Sequence, residues 1–107
     1  MENLTEKKAR FIELLRSTHR EGADHLIEVL DSMGFFTAPA STRFHMDHDG
    51  GLLEHSLNVC DAALELREVI IKMKPEVESK LTRESIIIAA LLHLTSSLIH
   101  PKFQCWL

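Results

Sequence analysis

The sequence predicts an all-α protein, a single helical domain of four or five helices, on three observations. Apolar residues across positions 52–73 recur at helical spacing, with acidic residues gathered on the other side. Positions 86–92, Ile-Ile-Ile-Ala-Ala-Leu-Leu, are apolar on every face. Three β-branched residues would suit a buried strand, yet no partner strand is visible, and Ala-Ala-Leu-Leu favours helix. Residues suited to helix ends also stand where these periodic segments start and stop.

Asn3 followed by Glu6 is a capping-box pattern, and Phe11, Leu14 and Leu15 recur at helical spacing, so a first helix is expected over residues 4–18. Leu26, Ile27, Val29, Leu30 and Met33 form the stripe of a second helix, which Gly34 should end in the left-handed conformation. Residues 35–49 contain Pro39 and no lasting period, so they read as an ordered connector that must bury Phe35, Phe36 and Phe44. Gly50-Gly51 ends it. Over 52–73, Leu53, Leu57, Cys60, Leu64 and Ile71 share the apolar side with Leu52, Val59, Ala63, Leu66 and Ile70. Glu54, Asn58, Asp61, Glu65 and Glu68 face away. Pro75 closes this helix, and Thr82 is the expected N-cap of a last one, central and enclosed because it has no polar face. There are no internal repeats.

The chain has 107 residues, 45% of them hydrophobic, enough for one modest core. Twelve Lys and Arg against 16 Asp and Glu give a formal charge of -4, with no basic stripe for a phosphate backbone. Nucleic acid is therefore not an expected partner, whereas a phosphorylated small molecule is compatible. No basic leader and no apolar run of spanning length is visible, so a cytoplasmic protein without membrane association is expected. Cys60 and Cys105 stand in no ligand spacing and read as reduced thiols, Cys60 in the core.

Seven histidines are many for this length, and His45, His48 and His55 gather around Gly50-Gly51 while His93 ends the apolar helix. On a helical wheel His55 lies in line with Val59, Ala62 and Leu66, and His93 follows Ile86, Ala89 and Ala90. Both imidazoles are expected to point inward from neighbouring helices, where two could ligate one ion. A single inward histidine is more often a hydrogen-bonded core residue, so the sequence around these two decides the weight. His19, His25 and His100 lie in no motif and read as solvated or structural.

The run Pro39-Ala40-Ser41-Thr42-Arg43-Phe44-His45, followed by Gly50-Gly51-Leu52-Leu53-Glu54-His55-Ser56-Leu57-Asn58-Val59, resembles the opening of HD-domain metal-dependent phosphohydrolases. Ala89-Ala90-Leu91-Leu92-His93 resembles the approach to the His-Asp pair that names that family. The resemblance implies a truncated HD-domain fold and a divalent metal held by His55 and His93. It also implies a nucleotide or other phosphate ester as substrate. Arg43 and His45 would border the pocket with Gly50 and Gly51, Arg43 pairing with a phosphate; the competing reading of Arg43 is a surface residue that fixes the connector.

The pattern breaks after His93. Leu94 stands where the family has aspartate, and no Asp or Glu follows Glu84, so the family's later aspartate has no counterpart. Two neutral imidazoles are too few to hold and use a hydrolytic ion. Substitutes would have to come from Asp47, His48 or Asp49, brought round by the glycine pair, and weakly held zinc or nickel is expected instead. Residues 1–94 thus read as an incomplete HD-like domain with impaired catalysis, and 95–107 as a divergent apolar tail. A changed reading frame, an altered chain end or true divergence would each produce that tail. Whether the chain is an enzyme is open at this level. Apolar surface left over predicts a homodimer, with tail exchange as one form, and a non-enzymatic helical interaction module is the competing function.

Overall fold

In the computed structural model, residues 3–39, 49–93 and 95 are described, and among them every regular element is helical. Four α-helices follow in order, α1 (Leu4–Arg16), α2 (Ala23–Ser32), α3 (Gly51–Met73) and α4 (Arg83–Leu92), with one 3₁₀ turn (Pro75–Val77) between the last two. The all-α class is as the sequence predicts. Phe44, Leu94 and the tail 96–107 lie outside the described residues, and with them the expectations of a buried Phe44 and of tail exchange.

Local chemistry explains the ends. Asn3 Oδ1 accepts the backbone N–H of Glu6 at 2.8 Å, so α1 begins where the capping box places it. It stops two residues before the expected limit. The hydroxyls of Ser17 and Thr18 donate to the carbonyls of Leu14 and Leu15 at 2.6 and 2.7 Å, competing with helix continuation, and His19 then adopts φ 55. After α2, Gly34 at φ 80 forms a Schellman motif: the Phe35 N–H reaches the Leu30 carbonyl and the Gly34 N–H that of Asp31. This turn sends Phe35 and Phe36 into the core.

The core joins Phe11 and Leu15 of α1, Ile27 and Leu30 of α2, Leu52, Leu53, Leu57 and Cys60 of α3, and Ile87 and Leu91 of α4. Phe11, Phe35 and Phe36 form an aromatic trio with centroids 5.2 to 5.4 Å apart, in the tilted and edge-on arrangements that ring quadrupoles favour. The connector is pinned at both ends, because Gly50 and Leu52 N–H groups donate to the carbonyls of Thr37 and Ala38, each at 3.0 Å. Arg67 Nε donates to the Leu81 carbonyl at 2.7 Å and ties the approach to α4 against α3.

Two burial expectations fail. The last helix is not enclosed: Ile87, Ala90 and Leu91 are buried, but Ala89 is exposed and Ile86, Ile88 and Leu92 are half-buried. α4 packs one face on α3 and α1, and a ten-residue helix in a small domain has no further layer of described residues to cover the rest. Leu66, assigned to the apolar side of α3, is 58% exposed. The core covers only the first half of this 23-residue helix, whose buried residues end at Cys60.

Candidate functional site

His55 lies on the second turn of α3, and His93 is the C-cap residue of α4. Their helices pack together, and the two imidazole centroids are 5.7 Å apart with an interplanar angle of 52°. Two imidazoles each about 2.1 Å from a common ion place their ring centroids about 5 to 6 Å apart, so the spacing fits a shared cation. The rings are less buried than the apolar surroundings imply. His55 is half-buried and His93 exposed, which corrects the expectation that both point into the interior. The reason is positional: α4 ends at His93, so its ring sits at the rim of the helix pair.

One hydrogen bond orients the second ring. His93 Nδ1 lies 2.7 Å from the Ala90 carbonyl. A carbonyl oxygen only accepts, so Nδ1 carries the proton and, in the neutral ring, Nε2 keeps its lone pair. Histidine ligands are commonly fixed in this way, by a backbone acceptor on the other nitrogen. No pattern of side chains in the sequence points to this acceptor, because it is a backbone carbonyl.

Gly50 and Gly51 are buried at the start of α3. Gly50 adopts φ 79, and a Cβ there would meet Leu4 Cδ1 at 2.7 Å, so glycine lets α1 close over the turn. With the Gly50 and Leu52 N–H groups committed to Thr37 and Ala38, the pair sets the angle at which α3, and hence His55, leaves the connector. Glu54 faces α1, where Lys7 Nζ approaches it to 3.6 Å. Arg43, His45, Asp47 and His48 lie outside the described residues. Asp49 is described and exposed, and among the described residues no three His, Cys, Asp or Glu side chains converge on a point that could hold a metal.

Ser56 Oγ is fully buried without a hydrogen-bond partner among the described residues, a feature the sequence did not flag. An open groove of about 680 Å³, lined by Arg67, Glu76, Ser79, Thr82 and Arg83 among others, lies at the opposite end of α4 from His93. Burial pushes the Cys60 thiol above its ordinary value, with the Asp61 carboxylate adding to the effect and Arg10 and Arg83 opposing it. Cys60 is thus a protonated core residue. His19 and His25 are exposed, as expected.

No helix among the described residues is long and apolar enough to cross a membrane. No family model matches the chain, and no solved structure matches it. Over 92 residues, 86% of its length, the chain is 33% identical to the dihydroneopterin 2',3'-cyclic phosphate phosphodiesterase of Methanocaldococcus jannaschii. It spans about a third of that curated relative, 33% of its length.

Proposed function

We propose that this chain carries part of an HD-type, metal-dependent phosphohydrolase site acting on a phosphate ester, a nucleotide or a related compound. In this reading His55 and His93 are the retained metal donors, and Leu94 weakens the site. The observation that carries it is the 5.7 Å approach of the two imidazoles from separate helices. The Gly-Gly-Leu-Leu-Glu-His-Ser run and the similarity to a phosphodiesterase support the same reaction class.

The chain's own contributions are specific. The Ala90 carbonyl holds the His93 proton on Nδ1 and leaves Nε2 to donate; the glycine turn and the α3–α4 packing fix His55 opposite. A bound divalent ion supplies Lewis acidity toward a phosphoryl oxygen. Leu94 provides neither charge nor lone pair beside His93, so binding is weak and hydrolysis impaired.

Calorimetric titration with Zn²⁺, Ni²⁺ and Mn²⁺ tests this on wild type, His55→Ala, His93→Ala and Leu94→Asp. Weak binding is expected in wild type and loss in either alanine variant. Leu94→Asp should gain at least about tenfold in affinity, since even a second-sphere partner of a metal ligand is worth that much. Retention of the same binding in both alanine variants would remove the basis of the proposal. In parallel, an activated phosphodiester should be hydrolysed faster by Leu94→Asp than by wild type.

A second reading, a helical interaction module, is favoured by a different observation: the exposed apolar residues Leu66, Val69 and Met73 on α3.

A further inference from the structure

α3 outruns the core that holds it. Beyond Cys60 the helix continues for 13 residues to Met73, and on its outward side Leu66, Val69 and Met73 are 58, 53 and 81% exposed. These are not scattered. His55, Val59, Ala62, Leu66, Val69 and Met73 are spaced four, three, four, three and four residues apart, and at about 100° per residue all fall within about 40° of one line. This alternation of fours and threes is the seam by which two helices interlock. In the first half Val59 packs on the core's margin; in the second half the seam has no cover among the described residues.

The charges beside the seam identify its occupant. On one edge stand Glu65 and Lys72, both exposed, one heptad apart and opposite in sign. On the other edge Ala63 and Ile70 are small or apolar and half-buried, so they widen the apolar strip. Two copies of this face related by a two-fold axis crossing near Leu66 and Val69 run antiparallel. Glu65 then lies on the same edge as Lys72 of the partner subunit, about 3 Å away along the axis and within reach of these long side chains, and Lys72 stands likewise to the partner's Glu65. A parallel pair would instead set each charge against an apolar edge residue. The face is therefore self-complementary in one orientation only.

We propose that the second half of α3 forms an antiparallel homodimer interface, with Leu66, Val69 and Met73 as the apolar seam and two symmetric Glu65–Lys72 ion pairs at its edge. About three helical turns form a small contact, so association is reversible and concentration-dependent. The proposal does not depend on metal binding by the histidines: His55 lies at the far end of the line and His93 on α4.

Sedimentation velocity of the 107-residue chain from about 1 to 500 µM tests it; a range chosen for a weak contact of this size. Wild type should move from monomer to dimer, and Leu66→Glu should stay monomeric with unchanged thermal unfolding, because Leu66 is already solvated. Met73→Glu serves the same purpose if Leu66→Glu does not fold. Glu65→Lys and Lys72→Glu should each weaken self-association about tenfold, since each turns two attractive pairs repulsive. Mixing these two variants should restore dimer as a heterodimer, whose edges then carry opposite charges. A monomer throughout the range, or a dimer indifferent to the seam variants, would overturn the interface. Failure of the mixture to recover would overturn the antiparallel pairing.

Discussion

Gly50 adopts φ 79, where an L side chain is strained, and a Cβ would also press on the Leu4 side chain. Leu4 is partly exposed and can move, so the backbone term dominates, and Gly50→Ala should lower stability by about 1–2 kcal/mol in urea denaturation. Cys60 gives a pH-dependent outcome. Its folded thiol titrates above the ordinary 9.0, so the folded chain holds the proton more tightly than the unfolded one. Its stabilising contribution is complete below 9.0 and is lost as the pH rises from there through the folded value. Thiol-specific reagents should accordingly modify Cys60 at the rate of global opening at pH 8, and Cys60→Ala should flatten the alkaline fall in melting temperature. For His93 the decisive contact is with a backbone carbonyl, which no side-chain pattern encodes.

Helix ends are legible where a side chain makes the cap. Thr82 accepts the Ser85 N–H at 3.3 Å, and Thr82→Ala should cost about 1 kcal/mol, measured as a shift in the denaturation midpoint. Asn3 and Gly34 likewise act where the sequence places them, because a capping bond and a left-handed residue are local requirements. The 3₁₀ turn after Pro75 and the early end of α1 were less visible. The early end of α1 comes from competing local hydrogen bonds made by the Ser17 and Thr18 hydroxyls. For α3, periodicity revealed an amphipathic helix but did not distinguish apolar residues facing the core from those turned to solvent. Leu57 and Leu66 look alike in sequence, yet the first is buried in the core and the second is exposed.

Across the molecule, α1 acts as the platform that joins the aromatic trio to α3. Phe11 is fully buried against both Phe35 and Phe36, and Phe11→Ala should cost about 3–5 kcal/mol, a large share of the stability of a domain this size. Loss of cooperative thermal unfolding in that variant would report it. The ion pairs between helices, such as Arg10 with both oxygens of Asp61 at 3.0 and 2.9 Å, are solvated enough that added salt should change stability little. By itself the sequence determined the helical class, most caps, the buried Phe35, Phe36 and Cys60, and the two histidines that merit attention, because periodicity and capping act within a few residues. Only the tertiary structure decided that His55 and His93 stand 5.7 Å apart, that His93 lies at an exposed rim, and that Leu66, Val69 and Met73 on the outer half of α3 are exposed. Those depend on how far each helix extends past its neighbours, a long-range quantity that no local pattern contains.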